Sequence, residues 1–175
     1  MEFNFVATTH RFAEEDLMDE LENLFYEFGE KEAEVDATNV SGLIVGKSSR
    51  DPKEFISFLR MKLQDSSWEI RYLLRFIPIQ KVVTTDIENI KKSVLELAST
   101  APIQEDQTIK IVVEKRHTKL QKMEIINYIG SDLNYRVDLT NPDWIFLIEI
   151  IGKFTGISIL PTNAIFSSMI EKRVI

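Results

Sequence analysis

Five lysine and arginine side chains within thirteen residues form the group in this chain whose types and spacing best suit a chemical task. They are Lys110, Lys115, Arg116, Lys119 and Lys122, and only Glu114 opposes them within the segment. The pattern predicts that they run from a strand through a loop into the first turns of a helix, where free backbone amides add to the positive charge. Such an arrangement binds phosphate and gives affinity and salt dependence without reading a base sequence. An ordinary solvated basic loop is the alternative interpretation.

Other candidates for catalysis or metal binding are weaker. The chain has no cysteine, which excludes disulfides, thiolate catalysis and cysteine-ligated zinc. His10 and His117 are the only histidines, and they fall in different halves of the chain, so a usual zinc site is not expected. Three apolar residues separate Gly42 from Gly46, whereas a phosphate loop needs four, and we interpret this segment as a strand. We therefore expect no enzyme, no metal and no cofactor.

Glu149 interrupts the apolar run Trp144–Ile151. The first interpretation places this carboxylate on the solvent side of an otherwise buried sheet. The alternative is a buried acid with a charged or polar partner, because an unpaired buried carboxylate is costly.

Charge is distributed unevenly along the 175 residues, whose net charge is −7. Met1 to Ile70 holds 7 Lys and Arg against 16 Asp and Glu, a net charge of −9, and the remainder holds 14 against 12, a net charge of +2. Such asymmetry suggests two modules with different partners. The N-terminus lacks the pattern of a secretion signal, and no apolar run is long enough to span a bilayer, so we expect a cytoplasmic protein without a membrane partner.

The order of elements predicts an α+β protein. Residues 1–81 read as strand, helix, strand, strand, helix and strand, which is the order of a ferredoxin-like domain. Its last strand is expected to run from Arg71 to Lys81, with Pro78 interrupting the ladder. Residues 82–175 are expected to form a second domain with a mixed sheet and helices, in which Thr118 caps the helix of the basic segment and Gly152 and Gly156 flank a turn.

The second domain resembles a THUMP domain, an RNA-binding module of tRNA-modifying proteins. The likeness is carried by the helix after Val82, the basic strand-helix unit, and the motif Val137-Asp138-Leu139-Thr140-Asn141-Pro142-Asp143 followed by Glu149-Ile150-Ile151. The segment Arg75-Phe76-Ile77-Pro78-Ile79, after a ferredoxin-like unit, is similar to the usual lead-in of the family. The resemblance covers nearly the whole chain and implies tRNA binding in tRNA processing.

Within that family the sequence is particularly similar to the non-catalytic adaptor that assists RNA cytidine acetyltransferase in making N4-acetylcytidine in tRNA. No methyltransferase, thiouridylase or deaminase domain follows the module in this sequence, so the resemblance implies an adaptor that presents tRNA to a separate acetyltransferase. Service to another RNA-modifying enzyme, by methylation or thiolation, and a small-molecule-binding ferredoxin-like protein are the alternatives. Charge and placement select the RNA-binding candidates, which are Lys115, Arg116, Lys119, Lys122 and Lys110, followed by Arg75, Lys81 and Lys153.

Overall fold

The computed structural model describes residues 2–173 and separates into two compact units. The first unit comprises residues 2–78 and 164–173, and the second comprises residues 79–163. Within the described residues the fold is α+β, with two five-stranded sheets and five α-helices. No helix in this part of the chain combines the length and the apolar character that crossing a bilayer requires.

The strands and helices are numbered in chain order. The strands are β1 (Phe5–Thr8), β2 (Glu34–Ala37), β3 (Leu43–Lys47), β4 (Arg75–Pro78), β5 (Lys81–Thr84), β6 (Thr108–Arg116), β7 (Arg136–Val137), β8 (Trp144–Ile151), β9 (Phe154–Pro161) and β10 (Phe166–Ser167). The helices are α1 (Glu14–Phe28), α2 (Pro52–Asp65), α3 (Ile87–Thr100), α4 (Lys122–Gly130) and α5 (Ser168–Glu171).

The first unit is an antiparallel sheet in the order β10-β4-β1-β3-β2, with α1 and α2 packed on it. The apolar stripes of both helices meet the sheet in a phenylalanine-rich core. Ring centroids lie 4.0 Å apart between Phe25 and Phe55 and 4.7 Å apart between Phe5 and Phe76. Asp51 caps α2 by accepting a hydrogen bond from the backbone N–H of Lys53 at 2.9 Å, which satisfies a first-turn amide.

The structure confirms that the segment between Gly42 and Lys47 is a strand and not a phosphate loop. Leu43–Lys47 is β3, paired with β1 on one side and β2 on the other. A side chain at Gly46 would collide with the ring of Phe5 and lie 2.5 Å from the carbonyl oxygen of Glu34. The glycine is therefore required by close packing in the sheet rather than by a phosphate.

The second unit is a mixed sheet in the order β5-β9-β8-β6-β7, with β6 parallel to both β7 and β8. Helices α3 and α4 pack on one face of this sheet around a core that includes Ile90, Val113, Ile129 and Phe146. The β6–β8 pairing runs from Ile109 to Arg116 and places the C-terminal ends of both strands at the same edge of the sheet.

The boundary between the units differs from the expected one in two respects. The strand expected from Arg71 to Lys81 is two strands in two sheets: β4 ends at Pro78, which has no N–H to donate, and β5 begins at Lys81 and pairs with β9. The chain also returns to the first unit at its end, where β10 pairs with β4. The second domain expected at 82–175 is therefore observed as residues 79–163.

One local expectation in the second unit also needs correction. Gly156 lies inside β9, opposite Val82 and Glu149, and the turn between β8 and β9 is made at Gly152, whose φ is +58°. The helix α3 is capped by Asp86, whose carboxylate accepts from the N–H groups of Glu88 and Asn89.

Candidate functional site

The basic segment joins the end of β6 to the start of α4. His117 turns the chain with a φ of +55°, in the left-handed region that few non-glycine residues adopt. The ammonium of Lys115 then donates a hydrogen bond to the backbone carbonyl of Leu120 at 3.0 Å and closes the loop on itself. This contact lies at the surface, and Lys115 remains exposed.

The helix of the basic segment begins later than expected. Thr118 was expected to cap it, but its hydroxyl accepts a hydrogen bond from the N–H of Leu120 within the loop, and α4 starts at Lys122. The residue before the helix, Gln121, makes no side-chain cap. The first amides of α4 therefore have no side-chain acceptor at the capping position, in contrast to those of α2 and α3.

Two exposed cations lie at this uncapped helix start. Lys119 is in the loop and Lys122 is the first residue of α4, and both are exposed. Backbone N–H groups and the positive end of the helix dipole favour an anion here, and the ammonium groups add to the attraction. Glu124 in the first turn opposes part of this charge.

Arg116 has a different environment from the other cations of the segment. Its guanidinium lies 2.5 Å from a carboxylate oxygen of Glu149, which is completely buried. The interpretation of Glu149 as a solvent-facing residue is therefore wrong, and the alternative of a buried, partnered acid is confirmed. The pairing favours a structural role for Arg116, because moving it toward a phosphate would leave a buried carboxylate without this cation.

The four remaining predicted cations lie in four different places. Lys153 follows Gly152 at the turn after β8, where the Gly152 N–H donates to the Arg116 carbonyl at 2.9 Å, so it lies at the same end of the sheet as the basic loop. Lys81 in β5 forms an ion pair with Glu96 of α3 at 2.7 Å. Arg75 lies in β4 of the first unit. Lys110 lies in β6.

A cavity of about 670 Å³ beside β6 contains residues that the sequence did not single out as a site. Lys110 and Lys122 line it together with apolar side chains of β6, α4 and the segment after β7. Met123 and Leu139 in its wall are 60% and 68% exposed. The sign of this cavity in the sequence is that large apolar residues stand at a helix start and in a turn, where polar residues are usual.

The motif after β7 is held in shape by hydrogen bonds to its own backbone. The carboxylate of Asp138 accepts hydrogen bonds from the N–H groups of Asn141 and Thr140, both at 2.9 Å. These bonds lower the pKa of Asp138, the Asn141 bond having the larger effect. The carbonyl oxygen of Pro142 accepts from the hydroxyl of Thr162 at 2.6 Å, which ties the turn to the end of β9.

No cluster of three or more histidine, aspartate or glutamate side chains with a metal-binding arrangement is present in residues 2–173. The geometry instead offers exposed cations, an uncapped helix start and an apolar groove, all on the β6–α4 part of the second unit.

The family model of the THUMP domain matches residues 84–160, so the second unit contains a THUMP domain. The matched range runs from the end of β5 to the end of β9 and includes the whole basic segment. No curated protein matches the sequence.

Solved structures with the same fold cover most of this chain. A protein of Pyrococcus horikoshii, PH1313, has a TM-score of 0.67 and 19% identity, with 91% of this chain and 54% of that one covered. TrmN from Thermus thermophilus has a TM-score of 0.60 and 18% identity, with 90% and 45% covered. A 4-thiouridine synthetase, solved with RNA and ATP, has a TM-score of 0.58 and 17% identity, with 95% and 42% covered. The chain thus spans about half the length of these proteins, or less.

Proposed function

We propose that this protein binds tRNA through the basic β6–α4 segment of its THUMP domain and acts in tRNA modification. The observation that carries the proposal is the uncapped start of α4 with Lys119 and Lys122 exposed beside it. Lys115 and Lys153 extend the positive surface at the same end of the sheet. Arg116 acts by holding Glu149, which keeps the end of β6 in place.

Support for this function also comes from proteins of the same fold. The 4-thiouridine synthetase was solved in complex with RNA, and its structure matches both units of this chain. We assign the first unit to the ferredoxin-like class, because its elements follow the order β1-α1-β2-β3-α2-β4 and its strands the order β4-β1-β3-β2. Its acidic surface repels phosphate and is better suited to contacting a protein than an RNA.

As a finer role we propose a non-catalytic, cytoplasmic adaptor that presents tRNA to a separate RNA cytidine acetyltransferase. The similarity of Arg75-Phe76-Ile77-Pro78 and of Val137 to Pro142 to that adaptor family supports it. Service to a methylating or thiolating enzyme is the second candidate, favoured by the shared fold with a 4-thiouridine synthetase. A small-molecule binder of the ferredoxin-like class needs an enclosed apolar pocket in that unit, whereas the cavity of about 540 Å³ in the first unit is lined by several carboxylates, including Asp16, Glu20 and Glu27.

Charge reversal tests the RNA-binding surface. We expect Lys119→Glu/Lys122→Glu to weaken tRNA binding and to reduce the slope of log K against log salt concentration by about 2, because each lost phosphate contact removes about one unit. The matched control is Lys53→Glu/Lys92→Glu, which makes the same charge change at exposed positions on α2 and α3. Equal affinity of the two double variants for tRNA at low salt would exclude the proposed surface.

Nucleoside analysis tests the finer role. RNA from cells lacking this protein should lose N4-acetylcytidine if the acetyltransferase depends on it. Loss of a methylated or thiolated nucleoside instead would assign the protein to the second candidate, and an unchanged nucleoside profile would remove both.

A further inference from the structure

The outer edge of β6 is open from Lys110 to Glu114. On its inner side, β6 pairs with β8 from Ile109 to Arg116. On its outer side, β7 pairs only with Thr108 and Ile109, and no other strand of the described residues continues along β6. Five consecutive residues of β6 therefore form an open sheet edge, which another strand can extend.

The backbone groups of Ile111 and Val113 point toward this open edge. The carbonyl of Ile109 accepts from Asp138 on the β7 side, whereas the carbonyl of Arg116 accepts from Gly152 on the β8 side. Because the hydrogen-bonding direction alternates along a strand, odd-numbered residues of β6 face outward and even-numbered residues face β8. Ile111 and Val113 therefore each present an N–H and a C=O to an added strand.

Apolar side chains surround the open edge. The 670 Å³ cavity runs along Lys110 to Glu114 and is walled by α4 and by the segment after β7. Met123, Val137 and Leu139 are 60%, 62% and 68% exposed in the single chain. An unpaired strand edge beside exposed large apolar residues is characteristic of an interaction surface.

We propose that the occupant of this edge is a second copy of the chain, whose β6 pairs antiparallel with the first about a two-fold axis at Val112. In that register Lys110 faces Glu114 of the second copy, and Glu114 faces Lys110 of the second copy. Ile111 faces Val113, as a hydrogen-bonded pair, and Val112 faces itself. The sequence Lys110-Ile111-Val112-Val113-Glu114 is thus complementary to itself when it is reversed.

Charge and symmetry favour this occupant. Opposite charges and β-branched residues in directly facing positions stabilise an antiparallel pair, and like charges there destabilise it. A two-fold axis uses the same patch on both copies and closes the assembly after two chains, which leaves no further open edge at β6. The apolar residues of α4 and of the turn after β7 then add buried area beside the paired strands.

A single cysteine tests the register. The chain has no native cysteine, so Val112→Cys introduces one thiol, which the two-fold axis places opposite its own copy at a Cβ separation suited to a disulfide. We expect oxidation to give a disulfide-linked dimer from Val112→Cys and far less from Asp106→Cys, on an exposed loop of the same unit. Equal cross-linking of the two variants, or none, would overturn the proposal.

A charge swap tests the pairing without relying on the cysteine variant. Analytical ultracentrifugation over a dilution series should show a monomer–dimer equilibrium for the native chain. Lys110→Glu should weaken dimerisation by about tenfold, since symmetry turns two facing ion pairs into two repulsions. The double variant Lys110→Glu/Glu114→Lys should restore it. A monomer at every concentration, or a double variant no better than the single one, would contradict the pairing.

Hydrogen exchange separates this proposal from RNA binding. In the dimer, the amides of Ile111 and Val113 should become protected as protein concentration rises, in the absence of tRNA. If these amides are protected only when tRNA is added to a monomer, the edge belongs to the RNA-binding surface and the second copy is excluded. Failure of tRNA binding leaves the dimer measurement unaffected.

Discussion

Arginine and lysine side chains of one short segment can serve different purposes, and a buried partner decides which of them is structural. Arg116 faces a fully buried carboxylate, while Lys119 and Lys122 have exposed side chains at a helix start. Breaking a buried ion pair by removing one partner leaves an uncompensated charge in a low-dielectric interior. Loss of Arg116 should therefore lower the stability of the fold, whereas loss of Lys119 or Lys122 should lower the affinity for RNA.

The first prediction concerns Arg116→Met, which keeps a long side chain and removes the charge beside Glu149. We expect the free energy of unfolding to fall by about 3–5 kcal/mol, because the Glu149 carboxylate stays buried without this cation. Lys119→Met removes the same charge from an exposed loop and should change stability by no more than about 0.5 kcal/mol. Urea unfolding measures both, and equal midpoints would show that the Arg116–Glu149 pair is not a structural element.

Glu30 is a second buried carboxylate, held by hydrogen bonds from its surroundings. It is 4% exposed and accepts from the Ser49 hydroxyl at 2.6 Å and from the N–H groups of Glu32 and Arg50. These bonds lower its pKa, and the Ser49 bond has the largest effect. Because donors stabilise the ionised form, the pKa in the folded state lies below that in the unfolded state.

The second prediction follows from the sign of that shift. The stabilisation by Glu30 is fully present above its unfolded-state pKa, about 4.3, and is lost as the pH falls through the lower pKa of the folded state. We expect Glu30→Gln to reduce stability at neutral pH and to flatten the acid limb of the unfolding profile. Denaturant unfolding from neutral to acid pH tests this. A variant that loses stability in parallel with the native protein throughout the acid range would contradict it.

At the scale of elements, two glycines in regular secondary structure differ in the space available for a side chain. Gly46 in β3 is enclosed by the Phe5 ring and the Glu34 carbonyl. Gly130, the last residue of α4, has an ordinary φ, and a Cβ there would meet only the Ile111 side chain at 4.0 Å, a normal van der Waals distance. The close approach that requires glycine therefore occurs at Gly46 and not at Gly130.

The third prediction compares alanine at these positions. Gly130→Ala should raise the free energy of unfolding by roughly 0.5 kcal/mol, because it restricts the unfolded chain and fits the helix without displacement. Gly46→Ala should lower it by about 1–3 kcal/mol, the usual range for an overpacked core, because the clash includes the Glu34 backbone carbonyl, which cannot rotate away. Thermal unfolding of both variants provides the measurement, and a loss of stability in Gly130→Ala would show that α4 is packed more tightly there.

The elements that the sequence predicted well are those with periodic apolar patterns. Trp144–Ile151 and the first-unit strand-helix order follow from alternation and helical spacing. The start of α4 was placed too early, because Thr118 satisfies its local hydrogen bond inside the loop, which spacing alone cannot distinguish from a cap. The partner of Glu149 was missed, because Arg116 is distant in sequence and comes close only through parallel pairing of β6 with β8.

At the scale of the whole molecule, the return of the chain to its first unit is invisible to local patterns. Phe166 is fully buried in the first-unit core, and β10 extends that sheet beside β4. Arg60 of α2 forms an ion pair with Glu171 at 2.5 Å, which holds the returning segment against the helix. A strand of two residues is too short to show a periodic apolar pattern, so the sequence does not predict that β10 pairs with β4.

The fourth prediction tests this dependence of the first unit on the end of the chain. Truncation after Asn163 removes β10 and α5 and exposes the core position of Phe166, so the first unit should lose about 3–5 kcal/mol, the range for deletion of a buried phenylalanine side chain. The point variant Phe166→Ala should give a similar loss without shortening the chain. Hydrogen exchange resolves the two units: amides of β1 and β4 should exchange faster in both variants, while amides of β8 should keep their native protection, because β8 takes all its strand partners from the second unit. Equal acceleration in β1 and β8 would show that the two units unfold together, and unchanged protection in β1 would show that the returning segment contributes no stability to the sheet it joins.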